Sequence, residues 1–228
     1  MKTKNARSNE LLTYVLSEPL PEARIANVQI IADNGSLTID RLTSGEPNLA
    51  SDQLQYFEKQ GPPTQTLDVK DGQANLTVRG SRSERPWIRL PWAACNGAHE
   101  WQIHLNPDIS MDLLAHSGGG NIRLDLAGTT LTNLSAATGG GNIDVILPEL
   151  LTDLDVEVET GAGNATVQLP GGVEARIHAS SGLGKVIVDS GFKLIAEKTY
   201  QSDGYDNADK KVSIKTTSGA GNVTISTR

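Results

Sequence analysis

SGGGNI (residues 117–122), TGGGNI (138–143), TGAGNA (160–165), SGLGKV (181–186) and SGAGNV (218–223) are five versions of one turn. Their first glycines, Gly118, Gly139, Gly161, Gly182 and Gly219, lie 21, 22, 21 and 37 residues apart. An internal period in this range marks stacked structural repeats. Counting each repeat from its first glycine aligns the apolar positions into columns. Leu113/Ala115, Leu134/Ala136, Val156/Val158, Ile177/Ala179 and Ile214/Thr216 precede the turns. Ile122/Leu124, Ile143/Val145, Ala165/Val167, Val186/Val188 and Val223/Ile225 follow them. Alternation with period two on both sides of a turn is the pattern of strands with one buried face, so each repeat reads as strand, glycine turn, strand. Breakers at Ala127-Gly128, Pro148-Glu149 and Pro170-Gly171-Gly172 turn the chain into the next unit.

Two connections fit this pattern: a meander of antiparallel hairpins, or a solenoid in which equivalent strands stack in parallel. Like residues in like positions are useful only where they lie about 4.8 Å apart on neighbouring coils. The columns therefore predict an all-β protein, a flattened β-solenoid (β-helix) with coils of about 21 residues over 110–228, with the meander as second choice. Residues 21–109 read as an irregular β part continuous with it, because VQIIADNGSLTIDRL (28–42) repeats strand, Asn-Gly turn, strand, and Leu67/Val69, Asp71-Gly72, Leu76/Val78 form a hairpin pattern. Residues 1–20 are a separate N-terminal segment, in which a short helix over 9–15 is a minor option.

The turn glycines are expected to supply positive φ. Asn121, Asn142, Asn164 and Asn222 share one column, broken by Lys185; they are read as turn caps or as an amide ladder along one edge, in preference to a ligand-binding edge.

The chain has 228 residues, 37% hydrophobic but only 4% aromatic, so core volume must come from aliphatic side chains. A net charge of -7 without long runs of either sign argues against nucleic acid as a partner. No stretch has the length of a membrane span. MKTKNARSNE leads into polar sequence in place of a signal core, which predicts a soluble, cytoplasmic protein or the soluble part of a longer envelope protein, the compartment staying open. Cys95 is single, which excludes an intrachain disulfide.

Chemistry-bearing motifs are absent. The four histidines and Cys95 lack zinc spacing, calcium-binding glycine repeats have a nine-residue period and an aspartate, and the GxG turns lack the lysine and helix of a phosphate loop. Neither metal nor cofactor is expected. Glycoside cleavage needs paired carboxylates, and the outward columns after the turns, such as Arg123, Asp144, Thr166, Ile187 and Thr224, offer none; the expectation is no enzyme. Arg123 with Asp144 and Glu157 with His178 read as cross-coil charge partners, and Asp153, Asp155, Glu157 and Glu159 as an acidic edge guarding against aggregation. Two clusters remain as binding candidates. Trp87, Trp92 and Trp101 read as an end cap or a ligand platform. Tyr200 and Tyr205 lie in the insertion 190–211 that lengthens one repeat from 21 to 37 residues, and read equally as a partner site or a cap.

In order, the strand-Asn-Gly-strand unit, the tryptophan-started strand EWQIHL (100–105), the TGGGN and TGAGN coils ending in LP, the tyrosine-bearing TYQSDGYDNADKKVSI (199–214) and the closing SGAGNVTI (218–225) resemble the bacterial toast-rack family. These are domains of unknown function related to adhesin-like β-solenoids and to the soluble part of LiaF-type cell-envelope stress proteins. The resemblance covers residues 20–228 and implies a stacked β fold with an envelope-linked scaffold or sensing role. It brings no catalytic residue, and the membrane helices of LiaF-type proteins are missing from this chain. The combined expectation is a non-enzymatic scaffold or interaction domain that binds a protein or itself, with a glycan or cell-wall ligand as the alternative.

Overall fold

A computed structural model describes residues 10–81, 99–149 and 153–228. The masses of alternating residues fold into two facing sheets, one of nine strands and one of ten, called sheets A and B. A first strand, β1 (Leu11–Pro19), is followed by the first coil, β2 (Ile25–Ala32) and β3 (Ser36–Arg41). Then come β4 (Asn48–Phe57) and β5 (Thr64–Lys70), and a second coil from β6 (Gln73–Arg79) and β7 (Glu100–Leu105). The third coil is β8 (Ser110–Ser117) and β9 (Ile122–Asp125), the fourth β10 (Thr130–Thr138) and β11 (Ile143–Ile146), and the fifth β12 (Leu154–Ala162) and β13 (Ala165–Leu169). The sixth is β14 (Glu174–Ser181) and β15 (Val186–Val188). After β16 (Lys193–Ala196), β17 (Thr199–Gln201) and a short 3-10 turn at Tyr205–Asn207, the seventh is β18 (Lys211–Ala220) and β19 (Val223–Thr227).

In every coil the first strand lies in sheet B and the second in sheet A, and equivalent strands stack in parallel, residue on like residue: Leu113 on Leu134, Leu134 on Val156, Ile143 on Ala165. This is the solenoid, not the meander, and the N-terminal coils are continuous with it, since β2 pairs β8 and β3 pairs β9 in parallel. The core is mainly aliphatic, from Leu76 and Val78 of the second coil at one end through Leu113, Leu134 and Val158 to Ile177 of the sixth at the other, all nearly or fully buried.

The coils do not stack in chain order. Sheet B runs β16-β17-β14-β18-β12-β10-β8-β2-β6-β5, so the seventh coil sits between the fifth and sixth, and the first between the second and third. The spacing of 37 follows directly. The sixth coil docks one slot beyond its neighbour in sequence, and residues 190–211 form the antiparallel hairpin β16–β17 on its outer side before the chain returns to fill the gap. At the opposite end β5 covers β6, and β4 and β1 extend sheet A beyond β7.

Two expectations are corrected by this order. Strand β12 is central, so its acidic residues guard no edge. Glu157 does not face His178; Lys215 of the interposed β18 lies between them and pairs with Glu157 at 2.7 Å. Arg123 and Asp144 are register neighbours on β9 and β11 but are not among the ion pairs of the described residues. Residues 11–19 form a strand where a helix was an option, because edge pairing with β4 outweighs the weak local preference.

The expected positive φ falls on the last glycine of three of the turns, with Gly141, Gly163 and Gly221 at 158°, 152° and 153°; the first glycines have a different role. None of Gly118, Gly139, Gly161, Gly182 and Gly219 has positive φ. A Cβ on Gly139 would instead meet the Gly118 carbonyl oxygen at 2.5 Å, and one on Gly161 the Gly139 oxygen at 2.5 Å. The coils approach too closely at this edge for any side chain. Gly139→Ala is expected to cost about 2 kcal/mol through overpacking, lowering Tm by roughly 4–8 °C. Gly140→Ala, with open space around its Cβ position, is expected to stay within about 0.5 kcal/mol; thermal unfolding of the two variants makes the comparison.

Candidate functional site

The turn edge is hydrogen-bonded from coil to coil in two ladders. The hydroxyl at the head of each turn donates to a glycine carbonyl of the neighbouring coil: Ser117 to Gly35, Thr138 to Gly120, Thr160 to Gly141, Ser218 to Gly163 and Ser181 to Gly221, at 2.7–2.9 Å. Each asparagine accepts from the backbone N–H of the next: Asn121 from Asn142, Asn142 from Asn164, Asn164 from Asn222, and Asn222 from Lys185, at 2.8–3.0 Å. The column that sequence order breaks at Lys185 is unbroken in space. Lys185 belongs to the last coil of the stack, where no further N–H requires an acceptor. The asparagines are thus backbone caps, and their oxygens are occupied by the fold.

The tyrosines of the insertion both turn toward protein. Tyr200 on β17 lies opposite Ile177 and packs half-buried against the core. Tyr205 is 8% exposed, with the Arg176 guanidinium 4.5 Å from its ring centre and the Lys211 ammonium 5.6 Å away. Arg176 is also held by Gln201 and Asp206. Trp101 is 1% exposed on β7, its indole N–H donating to the Gln55 carbonyl of β4 at 3.0 Å. Trp87 and Trp92, with Cys95, lie outside the described residues. His99 is buried beside the rings of Phe57 and Trp101, with Nδ1 lacking a partner among the described residues. Burial lowers its pKa from the ordinary histidine value, against a smaller upward pull from Asp33.

The surface that sequence reading missed is a shallow depression of about 400 Å³ on the outer face of sheet B. Asn27, Gln29, Asp112, Asn133, Asp155 and Lys215 line it from β2, β8, β10, β12 and β18. Asp112 accepts from Asn133 and from the Thr132 hydroxyl, and Glu157 at its rim is paired with Lys215. Two of its three carboxylates are therefore already engaged. What the arrangement offers is a polar, amide-rich plane suited to accepting and donating hydrogen bonds. Acid catalysis needs a carboxyl shifted upward. Away from the depression, the carboxylates of the described residues that depart clearly from ordinary acidity shift downward: Asp108 through the Ser44 hydroxyl and Gly45 N–H, Asp189 through the Thr227 hydroxyl and N–H, and Glu149, where burial opposes, through Arg228 and backbone N–H groups. Among the described residues no group of three His, Cys, Asp or Glu side chains is placed to hold a metal. No helix among them is long and apolar enough to cross a membrane.

Residues 2–168 match the family model described as the N-terminal domain of toast_rack, DUF2154. The chain belongs to the toast-rack family. The match ends inside β13, so the sixth and seventh coils of this toast-rack chain lie beyond it. No curated protein matches the chain. It is similar to the crystal structure of a "putative cell adhesion protein" from Clostridium sporogenes ATCC 15579, with 22% identity and a TM-score of 0.81, covering 96% of this chain and 100% of the other. A "putative adhesin" from Bacteroides fragilis NCTC 9343 is more distant, with 15% identity and a TM-score of 0.33, over 97% of this chain and 99% of the other. The first of these relates the whole toast-rack chain, closing coils included, to a known fold.

Two outcomes follow from the ladders and from His99. Asn142→Ala removes the acceptor of the Asn164 N–H and is expected to cost about 1 kcal/mol, whereas Lys185→Ala, at the end of the column, leaves urea unfolding unchanged. The His99 pKa is lowered in the folded chain, so the unfolded chain binds more protons as pH falls through and below 6.5. Its contribution therefore destabilises the fold progressively in acid. His99→Phe is expected to flatten that part of the pH profile of unfolding free energy.

Proposed function

We propose that the protein is a non-enzymatic scaffold of the bacterial cell envelope that binds a protein partner across the outer face of sheet B. The observation that carries this reading is the depression spanning five stacked coils, from β2 to β18, on a frame whose interior and turn edge are fully used by packing and by coil-to-coil hydrogen bonds. A surface formed from five coils is held rigidly, and rigid presentation reduces the cost of ordering on binding. Family membership supports the scaffold role, and the relation of toast-rack domains to LiaF-type stress proteins supports the envelope link.

A glycan or cell-wall ligand is the second reading, favoured by the planar amides and carboxylate of Asn27, Gln29, Asn133 and Asp155, groups that match sugar hydroxyls. The adhesion-protein description of the similar Clostridium structure points the same way.

A photo-crosslinking residue placed at Ser135, in the depression, and separately at Thr166, on the opposite sheet, tests both readings in cells that express the protein natively. Protein adducts at position 135 that are absent at 166 support the scaffold. Binding on a glycan array that is lost in Asn133→Ala/Asp155→Ala supports the second reading. No adduct and no glycan binding retires the depression as a binding surface.

A further inference from the structure

The two sheets end unevenly at the sixth coil. In sheet B the inward-facing row Val156, Ile214, Ile177 continues onto Tyr200 of β17 and Leu194 of β16. Sheet A stops at β15, two strands earlier. Leu194 points into the layer between the sheets but has nothing opposite it, and it is 63% exposed. Leu183, Ile187 and Ile195 at the same end are 87, 52 and 54% exposed. Both edge strands, β15 and β16, keep unpaired backbone groups, the combination that invites strand pairing.

We infer that this end is an isologous interface that joins two copies of the chain about a twofold axis parallel to the strands. Such an axis reverses the stack and exchanges the faces, so the two-strand ledge of each copy enters the two-strand recess of the other. Sheet A of one copy continues into sheet B of its partner, and the Leu194 and Tyr200 rows close against each other as one core. The step in strand number is self-complementary, as an isologous contact requires.

Strand direction and charge agree with this seating. β16 is antiparallel to β17, which is antiparallel to β14, so β16 runs with β14 and opposite to β15. A rotation about the strand direction preserves that relation, and β15 meets the partner's β16 as an antiparallel pair. With Ile187 opposite Ile195 of the partner subunit, Val188 faces the partner's Leu194 on the inner side. Asp189 then faces the partner's Lys193, on the unbulged side of the irregularity between Leu194 and Ala196. This outer pair joins opposite charges across an antiparallel ladder, a stabilising arrangement, and symmetry repeats it. Lys193 is paired within its own chain to Asp203, but both groups are largely exposed, so exchanging partners costs little.

Sedimentation equilibrium of the full chain at about 100 µM, where small interfaces are occupied, is expected to give twice the 24.2 kDa chain mass. Ile187→Lys and Ile195→Lys, at exposed positions, are each expected to weaken dimerisation by more than about tenfold. Lys193→Glu, which places like charges opposite each other at Asp189, is expected to weaken it as well. In a Cys95→Ser background, Ile187→Cys/Ile195→Cys is expected to form a disulfide between chains on oxidation. A wild-type chain that stays monomeric overturns the inference. So does a dimer indifferent to the isoleucine substitutions, or a mass rising beyond two chains, which marks head-to-tail stacking.

Discussion

A backbone carbonyl of each turn occupies the space where the first side-chain carbon of the next turn would stand. That close approach sets the rest of the structure. It requires glycine at Gly139, Gly161, Gly219 and Gly182 in spatial succession, and it brings the serine and threonine hydroxyls within reach of the adjoining coil's carbonyls. It also brings the asparagine oxygens to the adjoining N–H groups. The sheets alone would tolerate variation in coil spacing through side-chain adjustment. The turn edge does not, because its contacts are backbone to backbone, and the aliphatic core is then packed at a spacing the edge has already determined.

A frame so constrained has its polar groups largely committed. The hydroxyl and asparagine columns are spent on neighbouring coils, Tyr205 is covered by Arg176 and Lys211, and Trp101 is buried beside β4, its indole N–H bound to Gln55. The surfaces left for recognition are the outer face of sheet B, where side chains from five coils converge, and the uneven end beyond the sixth coil. The first is polar and the second apolar, so they suit different partners and can be occupied together.

Much of the fold is legible in the sequence because a solenoid writes its lateral contacts as columns. The strand–turn–strand unit, its inward residues and the parallel register all follow from the alignment of five turns. The order of the coils is less visible, since a period states which residues are equivalent and not which repeats touch. That is why the columns alone set Glu157 beside His178 and do not reveal the depression on sheet B, which depends on Ser213 and Lys215 lying beside Asp155 and Glu157 from 58 residues earlier in the chain. Two signals for the true order were present. Lys185 is the one turn without an asparagine, as suits a terminal coil, and the 37-residue step is long enough to skip a slot and return. Turn conformation accounts for Gly141, Gly163 and Gly221, whereas the first glycine of each turn answers to close approach between coils, which leaves no trace in local sequence.

The transposed seventh coil also bears on how the protein is made. A solenoid stacked in chain order can grow as it leaves the ribosome, each coil settling on the one before. Here the sixth coil emerges before the coil that will separate it from the fifth. Either it waits unpaired with its hairpin, or it docks on the fifth and must be lifted away when β18 and β19 arrive. The last step of assembly is an insertion between two surfaces and not an addition to one. The fifth and sixth coils therefore reach their final pairing only once β18 and β19 have been made.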